Sequence, residues 1–151
     1  MKKLIAVLAL LASVSANANS FPINNNTAMQ CAAYVSEMST AAMVMAQDRG
    51  DDVQAALKPY LDRQQALINQ SVSMLQDEYT SKGWGTSIDV PYIAADYASA
   101  VVLAKSLVTP QTETVIENAN RKMGVMMNWY ERLNCSKIEG MAKTAPPYVV
   151  K

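Results

Sequence analysis

Histidine is absent from this 151-residue chain. Its absence excludes the usual general base, the Ser-His-Asp and Cys-His catalytic arrangements, and the histidine ligands of most zinc sites. The chain also has only five glycines and no useful segment in which apolar and polar residues alternate, so strands are not expected. It carries no specific motif for catalysis or for a cofactor. We therefore predict neither an enzyme, nor a cofactor, nor a dedicated metal site.

Only one apolar run is long, and it lies at the beginning of the chain. Two lysines precede about a dozen mostly apolar residues that begin at Leu4, which is the length of a signal-peptide core and too short to span a membrane. Small residues then favour cleavage after Ala18, with Ala16 as the alternative. We therefore expect a signal peptide at 1–18, export to the periplasm or the exterior, and no membrane attachment after cleavage.

The charge of the mature chain is nearly balanced. Removal of the two lysines in the signal peptide leaves 11 basic against 13 acidic side chains, a net charge of −2. Binding to phosphate backbones requires clustered lysine and arginine. This balance therefore argues against nucleic acid as the main ligand.

Cys31 and Cys135 are the only cysteines. An even count in a small exported chain predicts a disulfide, because export delivers the thiols to an oxidising compartment. The bridge would close a loop of about 100 residues and contribute roughly 4–5 kcal/mol in the chain-entropy model. Two buried free thiols are the alternative.

Apolar residues that recur at period 3.5–3.6 predict helices throughout the mature chain. We expect an irregular leader at 19–26, one domain at 27–143 and an extended tail at 144–151. The long helices should run from Thr27 to about Asp48, from Asp52 (capped by Asp51) to Lys82, from Asp89 or Val90 to about Val108, and from Thr109-Pro110 to about Leu133. Four helices with short connections favour an all-α, up-down-up-down four-helix bundle.

Three local features refine this interpretation. Pro59 lies inside the second helix and predicts a kink or a restart there. Ser136 and Glu139 have the spacing of a capping box, which predicts a short fifth helix that reaches about Lys143. Arg63 is assigned to ordinary surface charge.

The up-down order places the start of the first helix and the end of the fourth at the same end of the bundle. The disulfide, Trp84 and Trp129 are therefore expected to be neighbours there. Gly83, Trp84, Gly85 and Trp129 form the predicted partner-binding site, since tryptophan is enriched at interface hot spots. Trp84 has two interpretations: it is an exposed anchor for a partner, or it covers the disulfide and Trp129.

Methionine is abundant, and nine methionines remain after processing. Met43-Val44-Met45 and Met123-Gly124-Val125-Met126-Met127 have spacings that thioether ligands of Cu(I) could use. The alternative, which we favour, is that methionine fills gaps in an alanine-rich core.

These observations favour a non-enzymatic periplasmic protein of the inhibitor or immunity type, which binds a protein partner by occlusion. Two alternatives remain open: a periplasmic stress chaperone with helix faces that become exposed under acid or oxidation, and a Cu(I)-binding protein. A homodimer is also open, because an uncovered helix face could pair with a second copy.

Overall fold

The computed structural model describes residues 21–85, 87–109, 111 and 114–142. Most of these residues are helical, and these segments contain no strand. The helices are α1 (Asn25–Arg49), α2 (Val53–Ser81), α3 (Val90–Ser106), α4 (Val115–Arg132) and α5 (Cys135–Ala142). The prediction of an all-α bundle with a short fifth helix is confirmed. The expected signal peptide at 1–18 and the expected tail at 144–151 lie outside the described residues.

The helical domain begins slightly earlier than the sequence pattern predicts. The side chain of Asn24 accepts a hydrogen bond from the backbone N–H of Thr27 at 2.9 Å. This N-cap satisfies a backbone donor in the first turn, so α1 begins at Asn25 rather than at Thr27.

The predicted start of the fourth helix at Thr109-Pro110 is wrong. Thr114 and Glu117 form a reciprocal capping box, in which each side chain accepts a backbone N–H from the other residue. Because this arrangement satisfies two donors at once, α4 begins at Val115 instead.

The turn between α1 and α2 is made by three successive residues. Gly50 adopts a left-handed conformation with φ 71°, and its N–H and that of Asp51 donate to the last carbonyls of α1. The side chain of Asp52 then accepts from the backbone N–H of Gln54 and of Ala55. The N-cap of α2 is therefore Asp52, one residue after the predicted Asp51.

The helix α1 is the centre of the fold, because α2, α3 and α4 pack chiefly on it rather than on one another. Its buried face is rich in small residues: Ala28, Ala32, Ala33, Ala41, Ala42 and Ala46. Small side chains allow neighbouring helices to approach closely. Leu67 of α2, Ala104 of α3 and Met126 of α4 are buried in the core that forms around α1.

The order of the helices agrees with the disulfide. Ser71, late in α2, donates to the carbonyl of Asn25 at the start of α1, so these two helices are antiparallel. Cys31 near the start of α1 is bonded to Cys135, which follows α4, and their Cα atoms are 5.6 Å apart. Both cysteines are fully buried, and the predicted disulfide is confirmed. Within the described segments, no helix is long and apolar enough to cross a membrane.

Candidate functional site

The helix α2 extends well past the beginning of α1. It is continuous from Val53 to Ser81, so of the kink or restart predicted at Pro59 the restart is absent, and the kink stays a prediction. The hydrogen bond from Ser71 Oγ to the carbonyl of Asn25, at 2.8 Å, places these residues at the same level. Ten further residues at a rise of about 1.5 Å each carry the end of α2 about 15 Å beyond α1.

A Schellman motif at this end of α2 explains why Gly83 and Trp84 follow the helix. Gly83 has φ 72°, which a glycine adopts without a Cβ clash. Its N–H donates to the carbonyl of Thr80 at 3.1 Å, and the N–H of Trp84 donates to the carbonyl of Tyr79 at 2.9 Å. This motif commonly brings the residue after the glycine onto the last turn of the helix. Gly83 therefore terminates α2 and turns Trp84 towards Tyr79.

The ring of Trp84 is oriented by its neighbours but remains exposed. Its centroid lies 5.6 Å from that of Tyr79, in an edge-to-face arrangement with an interplanar angle of 74°. The ammonium of Lys82 lies 4.6 Å from the Trp84 ring centroid, and Lys82 is itself paired with Glu78. Trp84 nevertheless remains 65% exposed. The geometry fits the exposed anchor, and it does not place Trp84 over the disulfide.

Trp129 occupies a different environment. It is partly buried against the core that contains the disulfide, and the guanidinium of Arg132 lies 4.7 Å from its ring centroid. Among the described residues, the one pair of aromatic rings in contact is Tyr79 and Trp84. The rings of Trp84 and Trp129 are therefore not in contact, and α2 carries Trp84 beyond the beginning of α1.

A cleft of about 330 Å³ opens between α1, α2, α4 and α5. Three methionines from two helices line it: Met38, Met123 and Met127. The other lining residues are Tyr60, Arg63, Tyr130, Glu131 and Ser136. We call this cavity the methionine cleft. The sequence analysis did not identify it, because its lining residues are distant in the chain.

A buried carboxylate ties the wall of the methionine cleft together. Glu139 of α5, only 8% exposed, accepts a hydrogen bond from the hydroxyl of Tyr130 at 2.6 Å and from Nε of Arg63 at 3.1 Å. The guanidinium of Arg63 also lies 4.9 Å from the centroid of the Tyr130 ring. The helix α5 begins at Cys135, so Ser136 lies inside it and the predicted capping box of Ser136 and Glu139 is wrong. The assignment of Arg63 to ordinary surface charge is also wrong, because Arg63 is paired with the buried Glu139.

The surroundings of Tyr130 and Arg63 keep both groups in their ordinary protonation states. Burial and the bond to Glu139 raise the pKa of Tyr130 to about 12. Burial lowers the pKa of Arg63, but the bond to Glu139 and the charges nearby outweigh burial, so the pKa of Arg63 is raised. Tyr130 stays protonated and Arg63 stays charged at neutral pH. Together with Glu139, these two side chains tie α2, α4 and α5 to one another.

A second buried ion pair joins α1 to α4. Nζ of Lys122 lies 2.9 Å from the carboxylate of Glu37, which is 3% exposed. Lys122 also lies 3.4 Å from the hydroxyl of Thr40. A shallow cavity of about 180 Å³ beside the pair is also lined by Lys105 and Asn118. Glu37 and Lys122 are paired with each other, so this contact fixes α1 and α4 together.

Conventional metal ligands do not converge in the described part of the chain, since no three His, Cys, Asp or Glu side chains there could hold an ion. Both cysteine sulfurs are held in the disulfide. Comparison with protein-family models, with curated proteins and with solved structures finds no match to this chain.

Proposed function

We propose that this is an exported, non-enzymatic protein that binds a protein partner, of inhibitor or immunity type, with Trp84 as its anchor. The observation that carries the proposal is the exposed, oriented indole of Trp84 at the projecting end of α2. The basic run at the chain start and the apolar segment after it support export. The disulfide supports an oxidising compartment, for which we propose the periplasm.

Pre-organisation is what makes this tryptophan suitable for recognition. A large aromatic side chain that is already oriented loses little conformational freedom when a partner covers it. Burial of the indole surface that remains exposed, on the order of 100–150 Å², would contribute roughly 3 kcal/mol at about 25 cal/mol per Å². Lys82 beside the ring favours a partner pocket that is apolar with an acidic rim.

A non-enzymatic role is supported by the state of the charged groups. The buried carboxylates Glu37 and Glu139 are both held in ion pairs. The chain also has no histidine to act as a general base near neutral pH. Occlusion of a partner's surface requires only shape and a rigid frame, which the cross-linked bundle provides.

Affinity capture from an envelope extract of the host, with a matched variant, tests the proposal. Trp84→Ala should reduce recovery of the specific partner at least tenfold. Leu61→Ala, which truncates an exposed apolar side chain on α2 (49% exposed), should leave recovery unchanged. Circular dichroism should show the same helical content for both variants. Equal capture by wild type and Trp84→Ala would contradict the role of Trp84.

Tryptophan fluorescence gives a second measurement with the purified partner. In a Trp129→Phe background, the emission reports Trp84 alone and should shift to shorter wavelength when the partner buries it. Sedimentation of the pure protein separates a homodimer from a foreign partner. Self-association that Trp84→Ala abolishes would replace the proposed foreign partner with a second copy of this chain.

A further inference from the structure

The methionine cleft brings together soft donors that the sequence places far apart. Met38 comes from α1, and Met123 and Met127 come from α4, yet all three line one cavity. We propose that this cleft binds a single Cu(I) ion through the thioethers of Met38, Met123 and Met127. The pairs considered from sequence, which included Met43 and Met45, are not this set.

The positions of the three side chains suit convergence. Met123 and Met127 are four residues apart on α4 and therefore project from the same face of that helix. Met38 of α1 also lines the cavity and is 2% exposed, whereas Met127 is 49% exposed and marks the side that is open to solvent. Methionine has three rotatable side-chain bonds, so the sulfurs can adjust around an ion that enters from the Met127 side.

The donor chemistry selects a soft, monovalent metal. Thioethers are neutral, soft ligands that favour Cu(I) over the divalent metals that need imidazole, thiolate or carboxylate groups. Imidazole is absent from the chain, and both thiols are in the disulfide. Glu131, four residues after Met127, also lines the cleft and makes no ion pair within the described residues. Its carboxylate would offset the positive charge of the bound ion.

The experiment uses the mature, disulfide-bonded protein and Cu(I) kept reduced with ascorbate under nitrogen. Competition with a chromogenic Cu(I) chelator should show one ion bound per chain. The triple variant Met38→Leu, Met123→Leu and Met127→Leu should lose at least 100-fold in affinity. Leucine is apolar and close to methionine in volume, so the cleft stays filled while its sulfur donors are removed.

The matched control replaces three methionines outside the cleft, Met43, Met45 and Met74, with leucine. This control should bind Cu(I) as the wild type does. The single variant Met127→Leu, at the exposed mouth, should lose about tenfold and provides a measurement if the triple variant fails to fold. Ag(I), a redox-inert soft ion, should shift the NMR signals of the Met38, Met123 and Met127 methyl groups and leave the other methionine methyls in place.

Three results would overturn the proposal: no retention of Cu(I) by the wild type, equal loss in the two triple variants, or Ag(I) shifts at other methionines. The Cu(I) site is independent of the partner surface, so Trp84→Ala should bind Cu(I) with wild-type affinity.

Discussion

The carboxylate of Glu37 on α1 lies 2.9 Å from the ammonium of Lys122 on α4, and the Glu37 side chain is 3% exposed. A buried pair of this kind gains little net stability, because desolvation of both charges offsets their attraction. The pair mainly disfavours other packings of α4 against α1, because in those packings Glu37 would be buried without a cation. We therefore infer that the pair fixes the position of α4 relative to α1.

Lys122→Met should destabilise the protein by about 2–4 kcal/mol, because it leaves the Glu37 carboxylate buried without its cation. The value lies towards the lower end of such losses because the side chain of Lys122 is 26% exposed. The double variant Glu37→Leu/Lys122→Met should recover most of this loss. Urea unfolding at pH 7 measures both. A double variant less stable than Lys122→Met would contradict the interpretation.

The surface pair Lys58 and Asp62 provides the control. Their separation is also short, at 2.8 Å, but their side chains are 73% and 64% exposed. Solvent screening makes such a pair worth only about 0.3–0.5 kcal/mol. Lys58→Met should therefore change the free energy of unfolding by less than about 0.5 kcal/mol.

Removal of the disulfide should lower the free energy of unfolding by about 4–5 kcal/mol. Cys31 and Cys135 are 104 residues apart in sequence, so the bridge restricts most of the unfolded chain. The double variant Cys31→Ala/Cys135→Ala should unfold at a lower urea concentration. It should also have a larger m-value than the oxidised wild type, because its unfolded chain exposes more surface. A loss below about 1 kcal/mol would contradict the entropic argument.

Alkaline pH should destabilise the protein through Tyr130. Its pKa is raised from 10.0 to about 12 in the folded protein, so the unfolded state releases the proton first. The protonated Tyr130 hydroxyl therefore contributes fully to the free energy of unfolding below about pH 10. As pH rises from about 10 to about 12 this contribution is lost, and the total loss is about 2–3 kcal/mol. The difference in unfolding free energy between wild type and Tyr130→Phe, followed from pH 8 to 12, measures this loss.

Two variants identify the source of that alkaline loss. Tyr130→Phe removes the titrating hydroxyl and should flatten the decline between pH 10 and 12. Tyr92→Phe, at a tyrosine that is 50% exposed, should leave the decline as it is in the wild type. Identical pH profiles for wild type and Tyr130→Phe would show that other groups cause the loss.

The fold was predictable because its determinants are local or unique. Helical periodicity depends on residues three and four positions apart, and two cysteines allow only one intramolecular pairing. The error at Thr109-Pro110 has a similar local origin. A proline favours a helix start, but the capping box of Thr114 and Glu117 satisfies more backbone donors.

The buried ion pairs are indicated in the sequence only by a charged residue on an apolar helix face. Glu139 lies four residues after Cys135 and next to Ile138, so it falls on the buried face of α5. Glu37 likewise lies on the apolar face of α1, next to Met38. A charge on an apolar face indicates a buried pair, but its partner is 76 or 85 residues distant. Only the packing of the helices identifies that partner.

The position of Trp84 was not predictable for a related reason. Its surroundings depend on how far α2 extends beyond α1, which follows from the lengths of both helices. Apart from the start of α4, the sequence pattern located the helix ends within about two residues, but it gave no measure of how far one helix extends past another. The same limit applies to the methionine cleft, which requires the axial positions of α1, α2, α4 and α5.

Two glycines in different backbone conformations should respond to alanine in opposite directions. Gly124 lies within α4, and an added Cβ would meet nothing within 4 Å. Gly124→Ala should therefore raise the free energy of unfolding by about 0.5–1 kcal/mol, since alanine favours the helix. An added Cβ at Gly50 would also meet nothing within 4 Å, but Gly50 has φ 71°. Gly50→Ala should therefore lower the free energy of unfolding by about 1 kcal/mol through backbone strain. Urea unfolding measures both, and a change of the same sign in the two variants would contradict the assigned backbone conformations.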